Sequence, residues 1–126
     1  MKFFQNHLSY KQNSIKEFLK SFKKKDHNIA IFGTGHVACL FINLFGIEDL
    51  IDFAIDDNPN KIGFHMPGSK IPICSSQLLE SNKINLCLLG ISSESEEKII
   101  NKHRFFKERK GVFASIYPDS KYAIQV

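Results

Sequence analysis

At 126 residues the chain can enclose one hydrophobic core but not two, so we expect a single domain over residues 1–126. Hydrophobic residues make up 43% and charged residues 24% of the chain, the balance of an ordinary globular protein. No apolar run approaches the roughly 20 residues that a membrane span requires, and the start lacks the features of a signal peptide. We therefore expect a cytoplasmic protein with no membrane partner.

The net charge of +4 comes with a group of lysines near the N-terminus. These are Lys11, Lys16, Lys20, Lys23, Lys24 and Lys25. A basic face attracts phosphates, including those of nucleic acid. No aromatic-interleaved basic motif accompanies it, so we interpret it as a solvated helix face and expect no nucleic-acid partner.

The sequence contains no G-x-S-x-G, H-E-x-x-H or G-x-x-x-x-G-K-S/T motif and no C-x-x-C pair. Its three cysteines, Cys39, Cys74 and Cys87, are odd in number and widely spaced, which predicts free thiols and no metal site. We read His65 and His103 as structural or solvated. The catalytic residues, if the chain has any, stay unknown from the sequence.

The first predicted element is an amphipathic helix over residues 14–25, within an N-terminal segment 1–27. Ser14 and Glu17 form a capping-box pattern, and apolar residues follow at helical spacing. Residues 1–10 stay ambiguous, since their apolar side chains suit packing on the domain or on a partner.

Strands and helices alternate through the remaining residues, 28–126. Predicted strands cover 28–33, 51–55, 71–73, 84–91 and 112–117, and predicted helices cover 36–45, 75–81 and 94–110. Pro72 places the third strand at a sheet edge, and Ser93 with Glu96 forms a second capping-box pattern. This alternation predicts a three-layer Rossmann-like α/β domain, with a mainly parallel sheet of about five strands and helices on both faces.

A glycine turn joins the first strand to its helix and is the strongest local signal. In the run Gly33-Thr34-Gly35-His36-Val37-Ala38, Gly33 suits a tight turn, Gly35 lets the backbone approach a phosphate, and Ala38 allows close helix packing. The free N–H groups at the helix start then face an anion. The alternative is a purely structural turn.

Further candidate ligand contacts lie at the same predicted edge. Asp56 falls 23 residues after Gly33, near the position of a carboxylate that binds a ribose hydroxyl, and either Asp56 or Asp57 suits that role. His36 is a candidate donor beside the phosphate. Ser92 follows the fourth strand and either lines the pocket or caps the helix. The full set is Gly33, Thr34, Gly35, His36, Val37, Asp56, Asp57 and Ser92.

From Ile31 to Ile73, and more loosely to Pro118, the chain resembles the C-terminal domain of sugar C-methyltransferases. The resemblance rests on the glycine turn and on the string D-x-N-P-x-K-x-G at residues 56–63, followed by P-G-x-x-I-P-I at residues 67–73. A weaker likeness runs to the nucleotide-sugar-binding N-terminal domain of bacterial sugar O-acyltransferases. Both resemblances imply deoxysugar or surface polysaccharide biosynthesis in a bacterium.

In the methyltransferase family a zinc-binding region and a central S-adenosylmethionine domain precede this one, and neither fits in 126 residues. The resemblance therefore implies a surface for a dTDP- or UDP-linked sugar, without independent methyl transfer and without S-adenosylmethionine in this domain. A separate methyltransferase chain is an expected partner. Two alternatives stay open: a structural domain that forms a homodimer, and a small NAD(H)-binding protein. The helix over 36–45 favours the first alternative, because it is apolar around much of its circumference.

Overall fold

The computed structural model describes residues 2–23, 27–81 and 83–124. Four α-helices and five strands occur in this part of the chain. They are α1 (Lys2–Lys23), β1 (Asn28–Phe32), α2 (His36–Phe45), β2 (Phe53–Ile55), β3 (Ile73–Cys74), β4 (Ile84–Leu89), α3 (Ser93–Lys102), α4 (Arg104–Glu108) and β5 (Val112–Ser115). Short 3-10 helices cover Glu48–Leu50 and Ser76–Glu80.

The five strands form one parallel sheet in the order β3-β2-β1-β4-β5. This is the strand order of a doubly wound fold, in which the chain reverses direction across the sheet between β1 and β4. Alternate residues of each strand face opposite layers. Ile29 and Ile31 pack toward α1 and α2, whereas Ala30 and Phe32 pack toward α3, α4 and the second 3-10 helix. The predicted three-layer α/β class is confirmed.

The N-terminal helix is longer than predicted. It begins at Lys2, so Ser14 and Glu17 lie within the helix on its exposed side, and the capping-box interpretation was wrong. The predicted end at residue 25 lies outside the described residues. Lys23 binds both carboxylate oxygens of Asp52 at 2.7 Å, and Asp52 also accepts the Ile29 N–H at 2.8 Å. This bond network fixes the end of α1 to the start of β1.

Helix α1 covers apolar residues of α2. Ile15 and Leu19 of α1 are buried in the same cluster as Phe41, Ile42 and Phe45 of α2. The apolar circumference that favoured a homodimer is therefore accounted for within the chain.

The predicted third strand and the predicted last helix also differ from the structure. The third strand begins at Ile73, after Pro72, because the Pro72 carbonyl accepts the Ala54 N–H while its own nitrogen has no hydrogen to donate. Its position at the sheet edge is confirmed. The helix predicted over 94–110 is broken at His103 into α3 and α4.

Candidate functional site

The glycine turn lies where β1 meets α2, at the carboxyl edge of the sheet. Gly33 has φ +117°, and a Cβ there would come within 2.5 Å of the Gly90 carbonyl oxygen. Gly90 follows β4, and its own Cβ would be 3.1 Å from the Cβ of Ala38. The turn therefore requires glycine at position 33 for backbone reasons, and α2 packs closely on β4 as the sequence predicted for Ala38.

Gly35 is a different kind of glycine. Its φ of −82° suits any residue, and a Cβ built on it would meet no atom within 4 Å. It occupies the N-cap of α2, where no side chain caps the helix. The space beside Gly35 is therefore open, and no side chain caps the N–H groups of the first turn, the groups that bind phosphate at the start of other helices.

A polar cluster of three side chains stands beside this opening. The Thr34 hydroxyl donates to Oδ2 of Asp56, and Lys61 Nζ lies 3.3 Å from Thr34 Oγ1 and 3.5 Å from Asp56 Oδ2. Partial burial alone would raise the pKa of Asp56, but bonds from the Thr34 hydroxyl and the Asn58 N–H, together with the Lys61 ammonium, lower it below the ordinary aspartate value. Asp56 is therefore a carboxylate at neutral pH.

The two aspartates of the pair face different partners. Asp57 accepts hydrogen bonds from the Ser76 N–H at 2.7 Å and the Ser76 hydroxyl at 2.8 Å. Both of its oxygens thus hold the start of the 3-10 helix after β3. Asp56 lies next to the glycine turn through Thr34, which makes it the better placed of the two for a ligand hydroxyl.

A cavity of about 280 Å³ opens on the β3 side of this cluster. Its lining residues are Thr34, Asn60, Lys61, Phe64, His65, Pro67 and Ile73. Most of them belong to the loop that carries the family-like string, in which Gly63 and Gly68 take positive φ. None of these loop residues was predicted to belong to the site. Lys61 lies in the D-x-N-P-x-K-x-G string, and Phe64 belongs to no motif.

The remaining predicted residues lie at the same edge. His36 is exposed and Val37 is half-buried in the first turn of α2. Ser92 is exposed at the N-cap of α3, with its hydroxyl 3.0 Å from that of Ser95 and no capping bond. Gly33 and Ile91 approach each other, so the ends of β1 and β4 are adjacent. Their contact with a ligand stays a prediction.

A second polar cluster lies at the end of β5. Glu96 is 3% exposed and accepts hydrogen bonds from the Ser115 hydroxyl and, at 2.6 Å, from the Ser120 hydroxyl. The predicted capping box of Ser93 and Glu96 was therefore wrong, because the Glu96 side chain turns into the protein rather than back to the helix start. Ser115 and Ser120 in turn accept the N–H groups of Tyr117 and Tyr122.

His103 is buried where α3 breaks, against the ring of Phe32. Burial lowers its pKa, and Lys102 adds to the effect, while Asp57 and Glu80 oppose it.

The cysteines are unpaired, with Cys87 buried and Cys39 and Cys74 half-buried. In the described ranges, no three His, Cys, Asp or Glu side chains are grouped to hold a metal ion. Nor does any helix of those ranges combine the length and the apolarity needed to cross a membrane.

Comparison with known proteins supports the resemblance found in the sequence. The profile of the C-methyltransferase C-terminal domain family matches residues 1–118. The chain therefore belongs to this family. A search of curated proteins gives no match.

Proposed function

We propose that this C-methyltransferase C-terminal domain binds a nucleotide-sugar, dTDP- or UDP-linked, across the carboxyl edge of β1 and β2. In this role it is an accessory domain that presents the sugar to a separate methyltransferase chain or domain and transfers no methyl group by itself. The pathway is deoxysugar or surface polysaccharide biosynthesis. The observation that carries the proposal is the open, uncapped start of α2 above Gly35, beside the Lys61 ammonium.

The charges and donors of this edge match a diphosphate joined to a ribose. The N–H groups of the first turn of α2 and the Lys61 ammonium offer positive potential to the diphosphate. Asp56 is ionised and retains lone pairs for a ribose hydroxyl beyond the bonds it already accepts. Thr34 belongs to the glycine turn and connects it to the proposed ribose position through its bond to Asp56.

The same edge also suits NAD(H), so that ligand belongs in the same test. A homodimer as the main role has lost its supporting observation, because α1 covers the apolar face of α2. The resemblance of residues 56–63 and 67–73 to sugar C-methyltransferases favours a nucleotide-sugar over NAD(H).

A thermal-shift screen tests the proposal with dTDP- and UDP-sugars, NAD(H) and S-adenosylmethionine. A ligand at about 100 times its Kd adds roughly 2.7 kcal/mol of stability and raises the Tm by several degrees. We expect that shift with a nucleotide-sugar and its loss in Gly35→Val, whose side chain fills the opening. Gly35→Ala is the matched control, since it adds only one methyl group in the same open space. No shift with any nucleotide-sugar at millimolar concentration would rule the proposal out.

A further inference from the structure

We infer that the cavity between Lys61 and Phe64 is a subsite for the nucleobase, and that Phe64 is the platform on which the base stacks. This inference rests on the proposed function and assigns one part of the ligand to one part of the site. Its starting observation is that Phe64 is 65% exposed, the most exposed of the large apolar side chains described, and that it stands at a cavity rather than on a flat surface.

The cavity is lined by both apolar and polar side chains. Phe64, Pro67 and Ile73 contribute apolar lining, and Thr34, Asn60 and Lys61 contribute polar side chains next to it. A flat ring with polar edges fits such a space, because its faces contact the apolar lining and its edge atoms meet hydrogen-bonding groups.

The size of the cavity supports the same assignment. At about 280 Å³ it lies just below the range of pockets that enclose a whole drug-sized ligand. It therefore holds one ring system of a nucleotide-sugar, and the rest of the ligand lies outside it.

The groups at this edge can each take one part of a nucleotide. The start of α2 follows β1, Asp56 follows β2, and the cavity is lined by Thr34 of the glycine turn and by Ile73 of β3. A diphosphate at α2 and a ribose at Asp56 direct the base into the cavity. The sugar on the far phosphate then points the opposite way, toward the ends of β1 and β4.

Backbone hydrogen bonds hold Phe64 in place. The Phe64 carbonyl accepts the Ile73 N–H at 2.8 Å, and the Gly63 N–H donates to the Ile73 carbonyl at 3.1 Å. The Met66 N–H donates to the Ile71 carbonyl at 2.9 Å, and both of these side chains are buried beneath the loop. These bonds attach the backbone at Phe64 to the edge strand, so little backbone ordering is needed when a ligand binds.

Titration calorimetry with UDP, dTDP and inorganic pyrophosphate tests the inference on wild type, Phe64→Ala, Phe64→Tyr and Ile62→Ala. We expect Phe64→Ala to weaken binding of the preferred nucleoside diphosphate about tenfold, within the range found for base–aromatic stacking, and to leave pyrophosphate binding unchanged. Phe64→Tyr restores the affinity. Ile62→Ala is the matched control, since Ile62 is a partly exposed apolar residue of the same loop and does not line the cavity.

Two outcomes would overturn the subsite. Wild-type affinity of Phe64→Ala for the nucleoside diphosphate would place the base elsewhere, and equal losses for nucleoside diphosphate and pyrophosphate would mean that Phe64 supports the fold rather than the base. Gly35→Val separates this failure from that of the proposed function. If Gly35→Val loses pyrophosphate binding while Phe64→Ala keeps its full affinity, only the base assignment fails; if Gly35→Val binds like wild type, the site itself is wrong.

Discussion

Two polar clusters lie at the carboxyl edge of the sheet, and they differ in how their side chains are satisfied. At the end of β5, Glu96 is buried and is bonded to the hydroxyls of Ser115 and Ser120. At the ends of β1 and β2, Asp56 is bonded to Thr34 and faces Lys61, whose side chain is 46% exposed beside an open cavity. The first cluster is closed and the second is open.

The difference indicates which cluster supports the fold and which is available to a ligand. A buried carboxylate with two hydroxyl donors stabilises the loop that follows β5, and it offers little to an incoming molecule. A cluster with a half-exposed ammonium, next to uncapped N–H groups, keeps unused donors at the surface. Polar residues at a sheet edge therefore have to be sorted by their partners before a function is assigned to them.

The largest expected effect separates the two glycines of the turn. Gly33→Val places a β-branched residue at φ +117° and against the Gly90 carbonyl, so we expect a loss of at least about 3 kcal/mol in the free energy of unfolding. The Cβ of Gly35→Val meets no atom within 4 Å, so we expect that variant to change the free energy of unfolding by less than about 1 kcal/mol. Urea denaturation measures both, and equal losses would mean that the opening above Gly35 is not free.

The closed cluster gives the next largest effect. Glu96→Ala leaves the buried hydroxyl of Ser115 and the half-buried hydroxyl of Ser120 without their acceptor, which we expect to cost about 2 kcal/mol of folding stability. Nucleotide binding, measured by calorimetry on the folded fraction, stays at the wild-type value. A variant with full stability and reduced binding would reverse the roles assigned to the two clusters.

The smallest effect concerns the pH dependence of the open cluster. The lowered pKa of Asp56 means that its charged form stabilises the folded state above its ordinary value of 3.8, and that this contribution is lost as the pH falls through the folded-state pKa. Between about pH 5 and about pH 3, wild type should therefore lose more stability than Asp56→Asn. The difference stays below about 1 kcal/mol, because Lys61 is well exposed. Urea denaturation at both pH values measures the free energy of unfolding. If wild type and Asp56→Asn lose the same amount of it between the two pH values, Asp56 carries no such stabilisation.

The fold was predictable because its strands are short apolar runs, and the segments between several of them carry apolar residues at helical spacing. Runs such as Ile29–Phe32 are buried on both faces, which is typical of a central parallel strand. Both capping-box interpretations were wrong for a common reason. Each serine, Ser14 and Ser93, has a Glu three positions later, but neither serine is an N-cap. Ser14 lies inside α1, and Ser93 is the first residue of α3, after its N-cap. That spacing alone does not place a helix start.

The candidate site was only partly predictable. The glycine turn and Asp56 stood out because their spacing follows from the strand–turn–helix geometry. The sequence carries no such signal for Lys61, Phe64 or Glu96, because their positions depend on how a long loop and a helix fold back onto the sheet. The role of Asp57 was equally hidden, because its partner, Ser76, lies 19 residues further along the chain.

A two-dimensional ¹H–¹⁵N NMR titration with the preferred nucleotide-sugar is the sharpest test of ligand binding at the glycine turn, because it reports on every backbone amide of this small domain at once. We expect the largest shift changes at Gly35, His36 and Val37 and along the loop from Asn60 to Phe64, with none at Glu96 or Ser120. Changes centred on Glu96 and Ser120, or saturating ligand without changes at the start of α2, would contradict binding at the glycine turn.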